Sequence, residues 1–295
     1  MAEVTVTTAA GLQTAINTNE DTPIHLNAAS FTLTDNLVID YNCSIDNITG
    51  SDVTIDGDGT YLLTLQTDAS DTEINLIGTA SAKIIFSNFT DANGGVQILS
   101  SEAVKFVLNA EYCKFADSVV SNNFSIRQNP AGDVTANFIR CESTGAAADG
   151  FSILTGNSES KNVIMNLYDC DSYSNGTAST NQGATSHSDG QTLNIIGGNY
   201  YSNAGQGIAT VGGALNIAGA TFHDNCAVGG TVEVYVEGAG TVANIQQSVF
   251  YGMDGVCAIR TSSNTSAFVK GCIFRDGAGS YDHCIYNGGT IQLED

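Results

Sequence analysis

Apolar and polar residues alternate in short bursts along most of this chain, the period of two that belongs to half-buried strands and not to helices. One burst recurs as Leu108-Asn109-Ala110, Ala136-Asn137-Phe138, Met165-Asn166-Leu167, Leu193-Asn194-Ile195, Leu215-Asn216-Ile217 and Ala243-Asn244-Ile245. Ala267-Phe268-Val269 is a further copy with Phe in place of Asn. The central residues stand 28, 29, 28, 22, 28 and 24 positions apart, which is one solenoid coil per step.

Other positions repeat at fixed offsets. Four residues after each central position stand Cys113, Cys141, Cys170, Gly198, Ala220, Ser248 and Cys272, all small. Six residues after it stand Phe115, Ser143, Ser172, Tyr200, Phe222, Phe250 and Phe274. Columns of like residues at coil spacing predict parallel strands stacked about 4.8 Å apart. The apolar neighbours of each Asn then point inward, and the change of parity before the small column predicts a one-residue bend between two strands. The recurring Asn predicts an amide ladder, because propensity gives Asn no reason to recur in a strand.

The expected fold is all-β: a single-stranded right-handed parallel β-helix with a short N-terminal capping helix, one domain over residues 1–295. Residues 1–20 hold the first strand and the cap, and residues 21–295 the coils. Thr8 to Asn17 reads as an amphipathic helix with Leu12 and Ile16 four apart. The order of this cap, then Ile24-His25-Leu26, then Thr54-Ile55-Asp56-Gly57, resembles the entry of the pectate-lyase-like β-helix superfamily.

Composition narrows the function. Thirty-two Gly, two Pro and no Trp suit many short turns, and 31 acidic against nine basic residues give a formal charge of −22. That field disfavours nucleic acid, anionic lipid and polyanionic glycans. No apolar run spans a bilayer. No D-x-D-x-D-G loop supports calcium and no C-x-x-C pair supports zinc, so no metal or other cofactor is expected. The eight cysteines are expected as reduced, buried thiols, with Cys257 and Cys284 sharing a second column.

Segments typical of polygalacturonases (N-T-D, D-D, G-H-G, R-I-K) are missing, and basic residues for pectate-lyase-type elimination are sparse. Asp149-Gly150-Phe151 and Ser186-His187-Ser188-Asp189-Gly190 resemble segments of bacteriophage and bacterial-surface β-helix proteins. Asp149, His187, Asp189, His223 and Asp224 are expected to fall in adjacent coils and to converge on one flank, where a His beside carboxylates would suit general-base or glycosidase chemistry. The same residues also suit plain turns. The loop 175–185, rich in Gly, Ser and Thr, is the longest departure from the repeat.

With that resemblance, and with Met1 to Val6 lacking a secretion signal, the expectation is a non-enzymatic bacteriophage virion protein: a head decoration, fibre or spike component. It would assemble with other virion proteins and with itself as a homotrimer, and contact host-surface glycans. The alternatives are a polysaccharide lyase or glycoside hydrolase working in a groove of the helix, and a secreted surface protein whose signal has been removed.

Overall fold

The structure, a computed structural model, describes residues 3–18, 22–67, 70–91, 94–99, 102–127, 132–154, 162–186, 190–228, 232–253, 257–275 and 284–295. Among them, three parallel sheets run the length of the chain, with 12, 10 and 10 strands; they are termed sheets I, II and III here. One coil consists of Phe106–Glu111 in sheet I, Cys113–Ala116 in sheet II and Phe124–Ile126 in sheet III. The next coil repeats this as Val134–Ile139, Glu142–Thr144 and Phe151–Ile153. The chain is therefore a parallel β-helix, wound in the right-handed sense that strand twist imposes on parallel crossovers.

Helix α1, Ala9–Thr18, covers the N-terminal end and buries Leu12, Ala15 and Ile16. Its start is fixed by Thr8, whose Oγ1 accepts the Gly11 N–H at 3.0 Å.

The repeat holds in register. Asn109 pairs with Asn137, and the line continues through Asn166, Asn194, Asn216 and Asn244 to Phe268. Asn75 adds a rung before Asn109. Each Nδ2 donates to the Oδ1 one coil earlier, from Asn109 on Asn75 (2.9 Å) to Asn244 on Asn216 (2.9 Å), with the intervening bonds at 2.7–2.8 Å. The ladder stands on the outer face of sheet I, while its flanking apolar residues fill the core.

Sheets I and II meet at a single residue of left-handed conformation: Tyr112, Arg140 and Asp169, with φ of 48°, 51° and 50°. That residue changes the strand parity, so the next side chain turns inward and must be small. Cys113, Cys141 and Cys170 occupy the position, all buried, and the thiols of Cys141 and Cys170 donate to the Ala110 and Phe138 carbonyls at 3.3 and 3.4 Å.

All eight cysteines are free. Two details differ from expectation. Ile259 pairs with Ile285, which sets Cys284 beside Ala258 and not beside Cys257. The one-residue slip moves Cys284 to the opposite face, where it is exposed, and Cys272, near the open end, is only partly covered.

The aromatic column is broken in its middle for a physical reason. Phe86 stacks on Phe115 at 5.3 Å, and Tyr200, Phe222, Phe250 and Phe274 stack at 5.0–5.4 Å. Ser143 and Ser172 stand between the two stacks. Phe124, Phe138 and Phe151, from the other two sheets, pack edge-on below Phe115, and both Ser hydroxyls meet buried amides. Each fully buried Phe contributes about 1.5–3 kcal/mol.

Candidate functional site

Asp149 lies in the turn from sheet II to sheet III, with 6% of its surface exposed. Its N–H donates to Asn122 Oδ1 at 2.9 Å, and its Oδ1 accepts the Gln182 N–H at 2.7 Å. Burial pushes its carboxyl up to about 7, against the lowering effect of the Gln182 bond. The carboxylate thus clamps one turn to the next.

Its neighbour Gly150 also has a structural task. In this turn a second, internal amide ladder rises: Asn175 Nδ2 donates to Asn203 Oδ1 at 3.1 Å, and Asn203 Nδ2 to Asn225 Oδ1 at 2.8 Å. A Cβ on Gly150, Gly183 or Gly207 would stand 2.8–2.9 Å from the amide nitrogen of Asn175, Asn203 or Asn225 respectively. A glycine is therefore what the ladder requires beneath each amide, and Gly150 of Asp-Gly-Phe fills that place under Asn175.

His223 ends the sheet II strand Thr221–His223 and points outward. Its ring is sandwiched between Tyr201 (4.9 Å) and Tyr251 (4.5 Å), and Tyr173 extends the stack below Tyr201 at 4.9 Å. Its Nδ1 lies 2.8 Å from Asp224 Oδ2. Asp224 has a φ of 53°, in line with Asp117, Ser174 and Ser202 at the same bend of other coils, a conformation short polar residues tolerate.

His223 and Asp224 thus form a pair, but Asp149 does not join them. The strand preceding Asp149 is three rungs from that of His223, about 14 Å along the axis at strand spacing. His187 and Asp189 lie outside the described residues. Loop 175–185 is tied down: Asn181 Oδ1 accepts the N–H groups of Thr177 and Ala178, and the buried Asn175 and Gln182 bind it to the turns beside it.

Two surfaces escaped the sequence argument. On sheet III the outward side chains of Thr64, Gln97, Ser125, Ser152 and Thr185 are buried. Arg127 donates to Gln97 Oε1 at 3.2 Å, and Gln97 to Thr64 at 3.1 Å. The hydroxyls of Ser125 and Ser152 have no hydrogen-bond partner among the described residues.

On sheet I, the outer ladder runs along a hollow of about 350 Å³ lined by Tyr168, Asn194, Ile196, Asn216, Ala218, Asn244 and Gln246. The hollow exists because the column Ile139, Tyr168, Ile196, Ala218, Gln246 narrows to one methyl at Ala218. The signal was present in the sequence as the second residue after each repeated Asn, a series with little charge.

Among the described residues, no group of three or more His, Cys, Asp or Glu is placed to hold a metal ion, and no helix is long and apolar enough to cross a membrane.

No protein-family model and no curated protein matches the chain. Among solved structures, the Agl-KA catalytic domain is similar over 97% of this chain and 65% of that one, at 12% identity and a TM-score of 0.45. This chain therefore spans a little under two thirds of that domain's length. The A-module of the Azotobacter vinelandii mannuronan C-5 epimerase AlgE4 is similar over 99% of this chain and 95% of that one, at 14% identity and a TM-score of 0.38.

Proposed function

We propose that this chain is a non-enzymatic, rigid β-helical rod that meets glycans, serving as a fibre, spike or decoration component of a bacteriophage virion. The observation that carries the structural part is the fate of the polar groups. Asp149 is committed to holding a turn, the carboxylate of Asp224 is engaged by His223 Nδ1, and the His223 ring is itself held in an aromatic stack. Two amide ladders and a buried core that runs from coil to coil suit a stiff element whose work is to hold its shape.

The test is to incubate the protein with capsular and algal polysaccharides and to follow reducing ends and the absorbance of unsaturated uronates. No product is expected. Products that vanish in Asp149→Asn or His187→Ala, with folding intact, would replace the rod with a lyase or hydrolase. That second reading is favoured by one observation: Asp149, holding a proton near neutral pH, lies in the same coils as the buried polar strip of sheet III.

A further inference from the structure

The outer face of sheet I is open and uncharged over a long stretch of this acidic molecule. From Val134–Ile139 to Val242–Gln246, five successive strands place three side chains each on that face, and none of the fifteen is charged. Of the large hydrophobic residues left exposed, Ile139, Ile196 and Val242 stand here, at 36%, 48% and 46%. In a chain of net charge −22, such a face selects an uncharged partner, because a polyanion approaching it would meet the field of the whole rod.

The middle of the face offers hydrogen bonds at a regular spacing. An Asn amide has two N–H donors and an oxygen with two lone pairs. Each interior rung spends one donor and one lone pair on its neighbours, leaving one of each toward the hollow. At the end of the ladder Phe268 replaces Asn next to Asn244, so the row of amides runs into an outward-facing, half-buried aromatic ring.

Uncommitted amides, an apolar wall from Tyr168 and Ile196, and a terminal ring together match a molecule that carries both hydroxyl groups and flat C–H faces. We infer that the hollow on sheet I, with Asn194, Asn216 and Asn244 as its floor, binds neutral oligosaccharide that extends onto Phe268 one rung beyond. The sugar chain lies along the helix axis, where successive rungs repeat about every 4.8 Å and present the same pair of groups to successive sugar units. This rests on the proposal that the rod meets glycans, and it names the face and the glycan class.

The test is calorimetric titration of the protein with maltohexaose, cellohexaose and mannohexaose, with trigalacturonate as the charged comparison. At least one neutral sugar binds, and trigalacturonate does not. Ala218→Arg, which fills the hollow from a partly exposed position, abolishes binding while keeping the wild-type melting temperature, and Phe268→Ala weakens binding about tenfold while remaining cooperatively folded.

Failure of all three neutral sugars to bind, preference for trigalacturonate, or unchanged affinity in Ala218→Arg would overturn the inference. So would a self-association of the wild type that Ala218→Arg abolishes without any sugar binding, since the face would then belong to a second copy. Cleavage of a bound sugar would instead defeat the non-enzymatic reading and leave the site standing.

Discussion

Asn123 and Glu233 close the two ends of one buried chain of amides. Both stand at the level that Gly150, Gly183 and Gly207 occupy in the intervening coils. Asn123 Nδ2 reaches Asn175 Oδ1 at 3.3 Å where the ladder begins, and Asn225 Nδ2 donates to Glu233 Oε2 where it ends. The ladder stops there because Met253 takes the next position. A carboxylate accepts a hydrogen bond without requiring the ladder to continue.

That ending makes stability depend on pH. Glu233 is fully buried, its Oε1 has no partner among the described residues, and burial pushes its carboxyl up to about 7 despite the Asn225 bonds. The folded state thus holds a proton that the unfolded chain gives up nearer pH 4.5. Its contribution is complete below about pH 4.5 and is lost as pH rises through about 7, costing roughly 3 kcal/mol for a shift of this size. Asp149 acts in the same direction. Denaturant titrations from pH 4.5 to 8 will show stability falling, and Glu233→Gln will flatten the fall. A wild type that gains stability over that range contradicts the assignment.

The two ladders differ in what they contribute. Asn175 is fully buried and serves the Ala146 N–H, Ser172 Oγ, the Ser143 carbonyl and its ladder neighbours. Asn175→Ala orphans several of these groups and costs about 2–4 kcal/mol. Asn194→Ala on the outer face leaves its neighbours open to water and costs about 1 kcal/mol or less. Chemical denaturation of the two variants measures the difference.

Gly150→Ala tests whether Asp-Gly-Phe is structural. The added methyl would overlap Asn175 Nδ2, Ser172 Oγ and the Gly183 carbonyl, with a cost of about 2 kcal/mol or more. A melting temperature equal to that of the wild type would show that the glycine is there for another reason.

Thiol reactivity should follow position in the columns. Cys284 is exposed, whereas Cys113, Cys141 and Cys170 are sealed, with burial raising the Cys141 and Cys170 thiols well above their ordinary range. In native protein an aromatic disulfide reagent will label Cys284 first, and Cys113, Cys141 and Cys170 only after unfolding. All eight thiols will titrate in denaturant without reductant; fewer would reveal disulfides.

The sequence exposed the architecture wherever one residue type recurred at coil spacing. The register from Asn109 to Phe268 is the one the spacing predicts, because a strand slipped by one residue would turn its apolar set outward. Asn75 was hidden by a step of 34 residues to Asn109. The internal ladder left a trace that the reading passed over, because Asn175, Asn203 and Asn225 stand nine residues after Asn166, Asn194 and Asn216; only its first member, Asn123, approaches from a different place in its coil. Cys284 was misplaced because its alignment with Cys257 relied on local similarity, whereas the core pair Ile259 and Ile285 sets the register. The candidate acids and His223 were found by residue type, but type alone could not separate turn duty from chemistry.

Anomalous diffraction from sulfur in crystals of the protein tests the stacking on which the whole account rests. The account predicts Cys113, Cys141 and Cys170 sulfurs in one line along the rod, spaced by about 4.8 Å per rung. Sulfurs scattered through the molecule, or separated by more than a rung between successive members, would contradict it.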